Sequence, residues 1–458
     1  MAERDYIYYD YTKSLCPECL HLVDTKIVFK DEKVWMYKHC KEHGNSKTII
    51  ADDIEYYKNI RNYNKASEMP VHFGTPVKYG CPYDCGLCTD HEQHSCLSLV
   101  ELTDRCNLTC PTCYASSSPT HGRHRSFEEI EKMFDTIVRN EGTADVVQIS
   151  GGEPTVHPKF WDIMDMAKTK KIRHIMLNTN GVKIAKDKRF AERLASYMPD
   201  FEVYLQFDSL NPEILKTIRG EDLSDIRMKA IEHLNEFNLS TTLVVTLQKG
   251  LNDHEIGDTI RYALSQKAVR GVTFQPTQVA GRNVHFDAAN QKITLTEVRR
   301  KIYEQTDIFT PEDIIPVPCN PDNLAMAYAL KYNHEVFALT RWVNPQDLLN
   351  NSKNTIVYEQ DERLQKYLYD MFSTGISVEK AETKLAELMC CLPLIPQGNL
   401  DYSNLFRIII MNFMDAYDFD VRAVKKSCVH IIDDNMKLIP FETMNLFYRD
   451  GKVKEFQK

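Results

Sequence analysis

Fourteen cysteines in 458 residues fall into groups too tight to be incidental thiols. They are Cys16, Cys19 and Cys40; Cys81, Cys85, Cys88 and Cys96; Cys106, Cys110 and Cys113; and Cys319, Cys390, Cys391 and Cys428. In a reducing compartment structural disulfides are disfavoured, which leaves metal ligation as the leading use for so many thiols. Two triads, Cys81/Cys85/Cys88 and Cys106/Cys110/Cys113, share the spacing C-x3-C-x2-C, so spacing alone does not assign their roles. A 4Fe-4S cube with four thiolates is coordinatively closed, whereas one held by three leaves an iron free to take a small molecule. The first triad is followed by Cys96 within loop reach and reads as a closed auxiliary cluster; the second has no further cysteine nearby and reads as the open one.

The second triad follows the apolar run Leu99–Leu102, and the next strand-like run ends in Gly151-Gly-Glu-Pro-Thr155. This pairing resembles the radical S-adenosylmethionine (SAM) superfamily. The resemblance implies that Cys106, Cys110 and Cys113 hold a SAM-binding 4Fe-4S cluster and that Gly151, Gly152 and Glu153 meet the methionine amino group. It implies that Asn178, Thr179 and Gln206 lie near ribose and methionine, and Asn252 and Gln275 near adenine. It also implies reductive SAM cleavage to a 5'-deoxyadenosyl radical that removes hydrogen from substrate. Where many relatives carry an aromatic residue before the third cysteine this chain has Thr112, with Tyr114 one place beyond Cys113.

Two further groups read as metal sites. Cys16-Pro-Glu-Cys19 and Cys40-Lys-Glu-His43 are paired knuckles suited to one tetrahedral iron or zinc, with His39 a less well spaced alternative ligand. Cys319, Cys390, Cys391 and Cys428 remain after the other groups are assigned, enough for a second auxiliary cluster. Adjacent cysteines seldom serve one cube, and buried small hydrophobes are the competing reading for these four.

The elements that must position these residues follow from periodicity. Short apolar runs near 99–102, 146–149, 174–177, 202–206, 241–247 and 272–275 alternate with helical patterns, as in βα units of a parallel sheet. Ser126 and Glu129 form a capping box ahead of Ile130, Met133, Phe134 and Ile137. The expected architecture is α/β: a partial (β/α)6 TIM-like barrel over 101–283, preceded by a metal-binding domain over 1–70 and an auxiliary-cluster loop over 71–100. A separate C-terminal region over 284–458, where the rhythm is lost, would carry the second auxiliary cluster and cover the substrate site.

A net charge of -9 with no extended basic run argues against a nucleic-acid partner. Neither a leader-like start nor a membrane-spanning apolar run is visible, so a cytoplasmic setting is expected, with peripheral membrane contact compatible with it. Over nearly the whole length, Gly80-Cys-Pro-Tyr-Asp-Cys-Gly-Leu-Cys88, the CPTCYA loop, Gln275-Pro276 with Gly281-Arg282, Asn404 to Asp418, Val429-His430 and Pro440-Phe441 resemble the archaeal tetraether lipid synthase and its bacterial homologues. That likeness implies carbon–carbon coupling of lipid acyl or isoprenoid chains, with an electron donor such as flavodoxin or ferredoxin. Leu405–Met414 would line an apolar tunnel, or simply be core. Methylation of a pterin-like heterocycle and peptide modification are the alternatives. Three cubes and one mononuclear iron give about thirteen irons per chain, checked by iron and sulfide analysis of the reconstituted protein; about eight would remove the C-terminal cluster.

Overall fold

The computed structural model describes residues 4–66, 68–332, 335–341, 344–345, 354 and 404–458. Cys390 and Cys391 lie outside the described residues.

Four strands, β1 (Ile7–Leu15), β2 (Leu22–Lys30), β3 (Lys33–Cys40) and β4 (Gly44–Ala51), form an antiparallel meander in that order. Its own core is small: Ile27, Phe29, Val34, Met36 and Ala51. So few apolar groups stabilise a domain weakly, and a metal joining its two knuckles would offset the deficit.

The remaining strands build the catalytic scaffold. β5 (Leu97–Glu101) is followed by the two-residue β6 (Thr112–Cys113), then β7 (Ala144–Ser150), β8 (Ile172–Thr179), β9 (Phe201–Gln206), β10 (Thr241–Leu247) and β11 (Val269–Pro276). After them come β12 (Arg282–Asn283), β13 (Ile315–Pro316), β14 (Leu324–Tyr332), β15 (Glu335–Ala338), β16 (Leu405–Met411), β17 (Val429–Ile432) and β18 (Leu438–Pro440). β5, β7, β8, β9, β10 and β11 are neighbours in chain order and all parallel, the partial (β/α)6 arrangement expected from the alternating pattern. The capping box stands at the start of helix Phe127–Glu141, with Ile130, Met133, Phe134 and Ile137 facing the core.

One expectation is corrected. The region after residue 284 is not a separate unit: β16 adds to the sheet parallel to β11, β17 adds parallel to β5, and β14 continues it antiparallel to β16. The C-terminal residues therefore extend the catalytic sheet at both edges. The run 405–414 begins with strand β16 (Leu405–Met411), and its apolar residues alternate between the two faces. Phe406, Ile408 and Ile410 enter the main helix-covered core, while Ile409, Met411 and Phe413 face the opposite side, the period of 2 that a pleated strand imposes. Within the sheet Arg407 reaches the buried Glu202 on β9 at 2.5 Å and Thr242 on β10 at 3.1 Å, tying the added strand to the expected ones.

Candidate active site and metal centres

In a parallel sheet the carboxyl ends of the strands converge, and the loops leaving them build the site. Here they surround a cavity of about 160 Å³. Its lining includes Cys106, Cys110 and Cys113 from the loop after β5, Gly151–Glu153 after β7, Asn178–Asn180 at the end of β8, Gln206 at the end of β9 and Gln275 near the end of β11. Of the residues expected around SAM, Asn252 alone is not on this wall. It braces the loop after β10 instead, its amide donating to the Thr246 carbonyl and accepting from Gln248 N–H.

The two glycines hold the cysteine loop in place. A Cβ on Gly151 would stand 2.4 Å from the Thr103 carbonyl oxygen, and one on Gly152 would stand 2.2 Å from that of Arg105. Absence of side chains lets Gly152 N–H donate to the Thr103 carbonyl (2.7 Å) and Glu153 N–H to the Arg105 carbonyl (3.0 Å). The glycines, read from sequence as room for a ligand, serve first as room for the chain's own cysteine loop.

Glu153 is 1% exposed, and its carboxylate accepts from Thr155 Oγ1 (2.6 Å), Thr179 Oγ1 (2.8 Å), Asn180 N–H (2.8 Å) and Thr155 N–H (3.2 Å). Burial raises its pKa, and these donors offset only part of the rise. Burial, reinforced by the Glu153 charge, also pushes the Cys106 thiol up to about 12. Three thiols converging on one cavity are a donor set suited to iron, whose positive charge would replace their protons. Cys106, Cys110 and Cys113 thus fit a three-thiolate cluster.

Arg219, which no local motif in the sequence marks, organises the polar half of the wall. Its guanidinium donates to Asp208 at 2.6 and 2.8 Å and to Gln206 Oε1 at 2.9 Å. Because guanidinium can only donate, Gln206 must turn its oxygen toward it. The Gln206 nitrogen then donates to Asn178 Oδ1 (2.8 Å), and Asn178 donates to Ser150 Oγ (3.3 Å). One arginine thereby orients two amides. Burial alone would raise the Asp208 carboxyl, but Arg219 outweighs it and holds the pKa below its ordinary value. Asn180, next in sequence to Asn178 and Thr179, donates to Asn107 in the cysteine loop at 2.7 Å. The opposite wall is apolar: Leu97, Leu99, Met411, Phe413, Val429 and Phe441, with Phe413 and Phe441 stacked at 3.9 Å. Tyr114 joins it, 5.0 Å from the Phe441 ring.

The auxiliary cysteines are grouped differently from the sequence reading. Cys96 does not close the Cys81/Cys85/Cys88 group; its sulfur lies with those of Cys319 and Cys428, all three within 4.8 Å of one another. Strand register is the reason. Val429 pairs with Leu97, so the residues immediately before them, Cys428 and Cys96, start adjacent parallel strands side by side. Cys319 and Cys428, expected to share a site with Cys390 and Cys391, thus gain Cys96. Cys81 and Cys85 perturb each other's thiols, and Tyr448 Oη accepts from Cys85 N–H at 2.8 Å. With Cys96 placed elsewhere, it is the cavity that distinguishes Cys106/Cys110/Cys113 from this other triad.

The N-terminal knuckles meet as expected: Cys16, Cys19, Cys40 and His43 offer four ligand atoms within 4.8 Å. His39 instead pairs with Asn45 at 2.9 Å.

Sequence comparison agrees with this geometry. Residues 100–263 match the family described as the radical SAM superfamily, and residues 8–52 match the HMPTM N-terminal zinc ribbon domain. Over 97% of its length the chain is 31% identical to 7,8-dihydro-6-hydroxymethylpterin dimethyltransferase of Methanocaldococcus jannaschii, covering 95% of that protein. The chain belongs to the radical SAM superfamily, in the same family as that dimethyltransferase. A radical SAM core shared over 44% of the chain is 26% identical to the mycofactocin maturase MftC of Mycolicibacterium smegmatis, covering 50% of it. SuiB of Streptococcus suis, solved with S-adenosylmethionine bound, superposes over 47% of each chain with a TM-score of 0.40 and 18% identity. Membership implies a 4Fe-4S cluster, SAM and a source of electrons. Among the described residues no helix is long and apolar enough to cross a membrane.

Replacing Cys96 or Cys428 by Ser is expected to remove the same iron signal, and Cys81→Ser a different one. Mössbauer spectra of the three reconstituted variants check this; identical losses in all three would refute the grouping.

Proposed function

We propose that this chain is a radical SAM enzyme that abstracts a hydrogen atom from carbon and thereby methylates or otherwise modifies a pterin-like heterocycle. The observation that carries this reading is the alignment, over nearly the full length of both chains, with an enzyme whose name gives pterin dimethylation. When bound, the cluster and SAM supply a 5'-deoxyadenosyl radical able to remove a hydrogen atom from carbon.

The chain's own residues would do the rest. Cys106, Cys110 and Cys113 hold the cluster. Glu153, buried at the end of β7 with its carboxyl oxygens fixed by four donors, accepts an ammonium there. The Arg219–Gln206–Asn178 chain presents fixed amide edges for polar recognition, since each amide's orientation is already decided. Phe413 and Phe441 offer a flat apolar face against which a planar ring stacks. The apolar wall keeps water from the reacting carbon. Cys96, Cys319 and Cys428 lie in the same apolar cluster as Met411, Phe413 and Phe441, which favours an auxiliary cluster behind this wall, where it would serve as an electron relay. The match of residues 8–52 to a zinc ribbon favours zinc over iron at Cys16, Cys19, Cys40 and His43.

One observation favours a second reading. Leu97, Leu99, Met411, Phe413, Val429 and Phe441 form a continuous apolar wall, the surface that coupling of lipid acyl or isoprenoid chains would require. Such coupling removes two hydrogen atoms and so consumes two SAM for each bond formed.

Anaerobic incubation with SAM, reductant and, separately, a deuterated reduced pterin, a deuterated phospholipid and a deuterated fatty acid decides between them. Deuterium in 5'-deoxyadenosine from the pterin is the expected result. Transfer from an acyl chain alone would replace this reading by the second, and transfer from none would remove both.

A further inference from the structure

Lys38 lies on β3, two residues before the metal knuckle Cys40, and is 4% exposed. Its ammonium donates to three backbone carbonyls: Leu15 (3.1 Å), beside Cys16, and Ala416 (2.8 Å) and Tyr417 (2.7 Å) of the loop after β16. All three protons are satisfied, and a carbonyl from the ribbon and two from the catalytic sheet share one cation. Leu15 itself packs with Met414, Ala416 and Phe419, and Thr12 Oγ1 donates to Asp420 at 2.6 Å, so the ribbon grips this loop at several points.

The gripped loop reaches the catalytic cavity within two residues. The buried carboxylate of Asp415 accepts from Val279 N–H (3.0 Å) and pairs with Lys292 (2.6 Å). Gln278, which lines the cavity, donates to the Met414 carbonyl at 2.7 Å. Four residues on, Arg282 donates to the carbonyls of Cys110 (2.5 Å) and Ser117 (2.8 Å), and β12 pairs with β6 so that Arg282 stands opposite Cys113. Tyr417 N–H in turn donates to Asp415 (2.9 Å), so hydrogen bonds joined by short stretches of backbone lead from Leu15, beside Cys16, through Lys38, Tyr417 and Asp415 to the segment that holds the cysteine loop.

We propose that Lys38 is a positioning residue through which the N-terminal ribbon holds the 277–283 wall of the SAM cavity in its binding geometry. This gives the ribbon a role in SAM binding in addition to its own stability. The proposal rests on the assignment of Cys106, Cys110 and Cys113 to SAM and not on the identity of the substrate.

A chain of contacts is not yet coupling, so the test is a mutant cycle. Lys38→Met, Lys38→Arg, Asp415→Asn and the Lys38→Met/Asp415→Asn double variant would be reconstituted as full-length protein. For each, iron and sulfide content, KM and kcat for uncoupled SAM cleavage, and the SAM-induced change in the electron paramagnetic resonance spectrum of the reduced protein would be measured. With metal content retained, Lys38→Met is expected to raise KM for SAM about tenfold while kcat changes less than about twofold. Lys38→Arg should restore most of the KM, and the double variant should be no worse than the weaker single one. Should Lys38→Met fail to fold, the comparison of Lys38→Arg with Asp415→Asn carries the test. An unchanged KM and spectrum in metal-replete variants, or fully additive effects in the cycle, would overturn the proposal. Failure of the substrate assignment would leave these readouts untouched.

Discussion

The site depends on one close backbone approach, that of Gly151–Gly152 against Thr103–Arg105. Any side chain on either glycine would overlap a carbonyl oxygen, so the second strand's loop can carry the first strand's loop only with glycine there. Two hydrogen bonds across this contact fix the start of the cysteine loop, and Asn180 fixes it again through Asn107. The parallel sheet brings the strand ends together; the glycine contact then gives the cysteines a common cavity with Glu153.

The electrostatics follow from burial. Glu153 and Asp208 lie where water cannot screen them and Arg219 is only 12% exposed, so each needs fixed partners. Glu153 finds four donors from two strand ends. Asp208 and Arg219 pair with each other, and a further N–H of the arginine sets the direction of Gln206 and, through it, Asn178. The same residues that make the interior tolerable for charge give the cavity its fixed polar edge. The apolar edge comes from β5, β16 and β17, strands far apart in sequence, and the auxiliary cysteines sit among the residues that back it.

Much of this was legible in the residues. The alternating pattern marked β5 and β7 to β11, the six consecutive parallel strands, because each is a buried apolar run, and the knuckle spacing marked the ribbon site. What escaped were relations set by long-range pairing. Cys96 is close to Cys88 in sequence but belongs with Cys428, because register between β5 and β17 outweighs proximity along the chain. The C-terminal strands escaped because β16 and β17 join opposite edges of the sheet without a βα rhythm of their own. Arg219 escaped because its partner Asp208 is eleven positions away across a helix, and the bracing role of Asn252 escaped because a loop brace and a ligand contact use the same residue type.

The central claim is that Cys106, Cys110 and Cys113, and not the identically spaced Cys81, Cys85 and Cys88, bind and cleave SAM. The most direct measurement compares Cys106→Ala/Cys110→Ala/Cys113→Ala with Cys81→Ala/Cys85→Ala/Cys88→Ala for 5'-deoxyadenosine formed from SAM with dithionite under anaerobic conditions. The first variant is expected to form none while still holding its other iron, and the second to retain cleavage. Cleavage surviving in the first and lost in the second would contradict the claim.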